Sequence, residues 1–138
     1  MGSVLFVEAR HEGGMKVHLT AGDHGVDVDY PLPGKPATAP TSLELLLGAL
    51  ASCVANGLAM MLSKEGLTLS RLVVEASGVR RDTHPTVLEH ISLGIRMRAP
   101  GLTYERAQAA VAGAERVCPV WAMLRPGTPI TVVLDVEA

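Results

Sequence analysis

A chain of 138 residues is long enough for one domain with a buried core. Its formal net charge of -2 and pI near 6.2 leave no basic footprint for nucleic acid. Phe6, Tyr30, Tyr104 and Trp121 are its only aromatic residues, too few for a base-stacking platform.

The N-terminal run Met1-Gly-Ser-Val-Leu-Phe-Val-Glu8 lacks a charged leader region and meets a glutamate too early for a signal peptide. A cytoplasmic chain is expected, with its cysteines starting as reduced thiols. Val4 to Arg10, Met15 to Thr20 and Val26 to Tyr30 read as a strand meander, with turns over 11–14 and 21–25. Four prolines between Pro31 and Pro40 then rule out regular structure and predict a stiff, extended loop.

Thr41-Ser-Leu-Glu44 has the spacing of a capping box, so a long helix should begin there and run to about Lys64, with Gly66 ending it. The helix is apolar nearly all round, which predicts burial on most sides. Its small residues (Gly48, Ala49, Ala51, Ser52, Ala55, Gly57) would let a second helix or a partner subunit approach closely. Leu45 to Leu62 reaches the length of a membrane span without a formal charge. Ser52, Asn56 and the lack of flanking aromatic or basic belts argue against that reading.

Leu72 to Arg80 and Val87 to Arg98 read as a hairpin, turning at Asp82-Thr-His-Pro85. In the return strand Ile91, Leu93, Ile95 and Met97 alternate with Ser92, Gly94, Arg96 and Arg98. Thr103 can cap a second helix to about Val117, with Ala107, Ala110, Val111 and Ala114 as its inner stripe. Cys118-Pro119 resets the chain, Val120 to Leu124 makes a short helical turn, and Ile130 to Val136 closes as a strand. The order β-β-β-α-β-β-α-(α)-β gives an α+β sandwich, in a single domain over 1–138.

Chemistry in this chain rests on thiols or is absent. The cysteines stand 65 residues apart, so neither a CxxC motif nor a local metal knuckle can form. Cys53 lies inside the apolar helix, too far from its N-terminus for the helix dipole to act on it. It is either an inert small hydrophobe or a reactive thiol that needs a cation from elsewhere. Cys118 sits where a new helix would start, and free N–H groups there would favour thiolate. Glu44 is a cap, a catalytic group, or both. Asp27 and Asp29 flank Val28 on the polar face of a strand and read as solvated. The histidines (His11, His18, His24, His84, His90) are dispersed without metal-ligand spacing, and no phosphate loop or GxSxG is present. Neither a metal nor a cofactor is expected.

The run Pro40-Thr-Ser-Leu-Glu44-Leu-Leu-Leu-Gly-Ala-Leu-Ala-Ser-Cys53, followed by Ala114-Glu-Arg-Val-Cys118-Pro119-Val, resembles the OsmC/Ohr family of thiol peroxidases, in its OsmC-like branch. The resemblance implies an OsmC-like fold, with antiparallel sheets around a long central helix, in an intertwined homodimer with active sites at its interface. It also implies organic hydroperoxide reduction in oxidative-stress defence, with Cys53 as the peroxidatic thiol and Cys118 as the resolving one. Sulfenic acid, then disulfide, would be restored by a dithiol such as a lipoyl group. Family members carry a thiolate-stabilising arginine in the loops before the helix. Here that loop offers only Lys35, and Arg10 is the nearest earlier arginine. Glu44 stands nine residues before Cys53, as in the OsmC-like branch. In the hydroperoxide-resistance branch the glutamate is one residue further away, about 100° of helix. The alternative is a non-catalytic dimeric OsmC-like protein that binds a small apolar ligand.

Overall fold

A computed structural model describes residues 2–138. Nine elements follow the expected order: β1 (Glu8–Gly13), β2 (Lys16–Ala21), β3 (His24–Val28), α1 (Ser42–Lys64), β4 (Arg71–Arg80), β5 (Leu88–Arg98), α2 (Tyr104–Val117), α3 (Pro119–Leu124) and β6 (Ile130–Val136). They form two three-stranded sheets, β1-β2-β3 and β4-β5-β6, with one long helix. The chain divides into two compact units, one running to Leu46 and one from Leu47 to Ala138.

In the first unit the strands are antiparallel and joined by tight turns at Gly14 and Gly22, both with positive φ, which glycine adopts without strain. The pairing Glu8↔Thr20 is the last rung of β1, because β2 ends one residue later and turns. Val4 to Val7, expected to be strand, therefore have no partner in this sheet and are exposed. The proline-rich loop is folded back rather than extended. Leu32 and Lys35 exchange both backbone hydrogen bonds around Pro33-Gly34, with Gly34 at φ 72°. Asp29, just beyond β3, ties this loop down: its carboxylate accepts from the N–H groups of Tyr30 and Thr38 and from the Thr38 hydroxyl. These bonds hold the Asp29 carboxyl below its usual range.

The second unit is built on β5. Ile91, Leu93, Ile95 and Met97 are fully buried, each worth roughly 1.5–3 kcal/mol of apolar transfer. The register aligns Val74, Ile95 and Leu134 in one row and Ala76, Leu93 and Val132 in the next. Antiparallel pairing holds for β4 with β5, but β6 runs parallel to β5, so this sheet is mixed. The reason is the connection: α2 and α3 lie between β5 and β6, and a long helical crossover returns a strand in the same direction.

α1 starts as expected. The Thr41 N–H donates to Glu44 Oε1 at 3.0 Å and the Glu44 N–H to Thr41 Oγ1 at 3.3 Å, a reciprocal capping box. Burial on most sides is not what α1 shows. Leu50, Val54, Leu58 and Leu62 form one buried stripe at four-residue spacing, while Ala49, Ser52, Asn56, Ala59 and Met60 are exposed. α1 is the one described helix long and apolar enough to cross a membrane by length and composition. Its leucine stripe is instead built into the core.

Candidate active site

The two cysteines meet in the second unit. Pro119 creates the geometry at one of them. A residue before proline is pushed out of the helical region, and Cys118 has φ -74° and ψ 111°. It therefore ends α2, where its N–H still donates to Ala114 O, and caps α3, where its sulfur accepts the Trp121 N–H at 3.4 Å. Cys118 is only 3% exposed. The Cys118 thiol also donates to Cys53 Sγ, with the sulfurs 2.7 Å apart. Both are free thiols. A disulfide measures about 2.05 Å, so closing one requires an approach of about 0.7 Å.

Small residues one turn away from each cysteine make this approach possible. A Cβ added at Gly57, four residues after Cys53, would stand 3.3 Å from the Cβ of Ala114, four residues before Cys118. α1 and α2 therefore cross almost backbone to backbone beside the sulfur pair. The crossing was legible only as a list of small residues, because nothing in the sequence pairs Gly57 with Ala114.

Burial governs the charge state of Cys118. Burial and the hydrogen bond to Cys53 push the Cys118 thiol above its ordinary range, against the opposing N–H groups of Trp121 and Val120. The helix-start effect expected from the sequence is present, but desolvation outweighs it. Cys118 therefore holds its proton at neutral pH and presents it to Cys53, which is half-buried.

The remaining candidates lie in the first unit, each with a local partner. Glu44 is engaged in the capping box, and its bonds with Thr41 lower its pKa. Arg10 pairs with Glu8 at 3.0 Å on the exposed surface of β1. Lys35 lies in the Pro33-Gly34 turn, close enough to Asp29 to stabilise its charge.

A family model described as OsmC-like protein matches residues 34–133, a span that takes in both cysteines and Pro119. The chain belongs to the OsmC-like family. Comparison with curated proteins yields no match. Among solved structures, an OsmC-like protein from Mycoplasma pneumoniae aligns with a TM-score of 0.89 at 16% identity, covering 100% of both chains. An organic hydroperoxide resistance protein OsmC from Legionella pneumophila aligns at 0.70 with 19% identity, covering 96% of this chain and 97% of its own. The organic hydroperoxide resistance protein OhrB of Bacillus subtilis aligns at 0.65 with 20% identity and 98% coverage of each. Identities this low establish the shared fold and no more.

Proposed function

We propose that this OsmC-like protein is a two-cysteine reductase of organic hydroperoxides that serves in oxidative-stress defence. The observation that carries the reading is the 2.7 Å contact between Cys53 and Cys118, with the proton held on the buried partner. Two of the structural relatives are named for organic hydroperoxide resistance, which supports the same chemistry here.

In this scheme Cys53, as thiolate, attacks the O–O bond of the hydroperoxide. An S–O bond forms, the O–O bond breaks, and the departing alkoxide takes a proton to leave as the alcohol. Cys53 is then a sulfenic acid. Cys118 attacks its sulfur, the S–S bond forms and water departs. A dithiol of lipoyl type reduces the disulfide by thiol–disulfide exchange and becomes a cyclic disulfide itself. The balance is hydroperoxide plus dithiol giving alcohol, water and oxidised dithiol. A cation from the N-terminal segment, Lys35 or Arg10, favours the Cys53 thiolate, and Glu44 fixes the start of the helix that carries it. An apolar setting around the thiols favours alkyl hydroperoxides over hydrogen peroxide, because the alkyl group gains burial.

The working unit in this reading is a homodimer folded as one intertwined domain per chain and acting in the cytoplasm. The exposed small residues of α1 (Ala49, Ser52, Ala59) and the exposed Met60 support it, since they offer a second copy a face for close helix packing.

The test is steady-state consumption of cumene hydroperoxide with dihydrolipoamide as reductant. Turnover in the parent that is abolished by Cys53→Ser, and reduced to a single oxidation per chain by Cys118→Ser, supports the scheme. Lys35→Met and Arg10→Met identify the cation, as the one that lowers the rate and shifts its pH profile upward. Saturable binding of an apolar ligand without turnover in the parent would place the chain among binding proteins instead.

A further inference from the structure

A second cluster of reactive side chains lies in the first unit, on the sheet face away from the Val17, Leu19, Val26 and Val28 side chains. β2 places His18 at the centre of this face, and the register sets Asp27 of β3 directly across from it. His18 Nδ1 and Asp27 Oδ1 are 2.7 Å apart. Glu12 comes from the third strand, at a break in register between His11 and Gly13, the kind of bulge that re-aims a side chain. One ligand atom from each of Glu12, His18 and Asp27 lies within 4.8 Å of the other two.

The imidazole is held in place by a missing side chain. A Cβ at Gly25 would stand 2.8 Å from His18 Nε2, so the ring lies over the glycine with Nδ1 turned to Asp27. Beside the cluster a cleft of about 350 Å³ is lined by Glu8, Arg10, Glu12, His18, Thr20 and Gly22. Glu8 is engaged by Arg10 there. Two carboxylates against the nearby Lys16 ammonium leave the cluster net negative when the imidazole is neutral.

We propose that Glu12, His18 and Asp27 form a binding site for a divalent transition-metal ion. One imidazole and two carboxylates make a nitrogen–oxygen donor set, suited to borderline ions such as Zn²⁺ rather than to calcium or magnesium. Tetrahedral ligands at about 2.0–2.2 Å from one ion lie about 3.3–3.6 Å from one another, so the His18–Asp27 pair, now at 2.7 Å, opens by under about 1 Å while Glu12 swings in to close the set. The ion takes the position between Nδ1 and Oδ1, His18 coordinates as the neutral tautomer that carries its proton on Nε2, and water in the cleft completes the coordination. One ion then joins all three strands of the sheet. The site uses neither cysteine.

The test is isothermal titration of Zn²⁺ into the full chain carrying Cys53→Ser and Cys118→Ser, so that no thiol can take the metal. One equivalent should bind. Adding His18→Ala, Asp27→Asn or Glu12→Gln should each weaken binding by at least about tenfold, since losing even a group that only supports a ligand costs about 10–100-fold. Far-UV circular dichroism checks each fold. The near-isosteric Asp27→Asn and Glu12→Gln decide the matter if His18→Ala does not fold. Absence of saturable binding overturns the proposal, as does binding of equal strength in the variants.

Discussion

The two units use three-stranded sheets for opposite ends. In the second, long strands of ten and eleven residues bury an entire apolar row, and the cysteines sit where helices cross closely beside that core. In the first, strands of five or six residues leave nearly every side chain at least partly exposed, Val28 alone being buried among the described residues. Side chains there are organised by cross-strand register and by loop hydrogen bonds, as in His18–Asp27 and the Asp29 knot. Chemistry in the second unit should therefore be sensitive to packing. In the first it should be sensitive to single polar groups.

The sharpest contrast is between cores. Ile95→Ala should lower unfolding free energy by about 2–5 kcal/mol in urea titration, through lost transfer energy and a cavity. Val26→Ala, on the half-exposed strand β3, should cost under about 1 kcal/mol. Comparable losses at both positions would erase the distinction between the units.

Next in size is the helix crossing. Gly57→Val must push α1 and α2 apart, costing about 1–3 kcal/mol. It should also slow disulfide formation in the oxidised protein, measured by stopped-flow quench. If closure keeps its rate, the Gly57–Ala114 approach does not set the sulfur distance.

Capping comes third. Thr41→Ala should cost about 1 kcal/mol by loss of its N-cap bond. Glu44 adds a pH signature, because its folded pKa is lowered. Its contribution is present above the unfolded carboxylate value and is lost as pH falls through the folded value. Glu44→Gln should flatten that acid limb of a stability–pH curve.

The smallest effect is alkaline. The Cys118 pKa is raised on folding, so its contribution is present below the ordinary thiol value and lost as pH rises through the folded one. The reduced parent should lose stability on the alkaline side more steeply than Cys118→Ala, and parallel curves would contradict the raised pKa.

Legibility in the sequence followed the range of the interaction. The capping box, the alternation of β5 and the break at Cys118-Pro119 are local patterns, and each is found where the residues indicate. The direction of β6 is not legible in its sequence, because strand polarity depends on a crossover, not on the strand's own residues. Val4 to Val7 look like a strand but have no strand partner among the described residues, since β1 pairs with β2 only from residue 8 onward. The uncovered flank of α1 misled for a related reason: apolar composition reports what a helix can bury, and this chain covers only its leucine stripe. The family motif singled out Cys53 and Cys118, but their contact, like that of His18 with Asp27, is a long-range juxtaposition that only the fold supplies.

The central claim is that the two thiols form one reacting pair with Cys53 as the attacking member. The most direct measurement is a free-thiol count with intact mass on fully reduced protein, before and after one equivalent of cumene hydroperoxide. The parent should lose both thiols and two hydrogens. Cys118→Ser should gain one oxygen on Cys53, and Cys53→Ser should keep its thiol. Survival of both thiols in the parent under a large excess of peroxide would contradict the account.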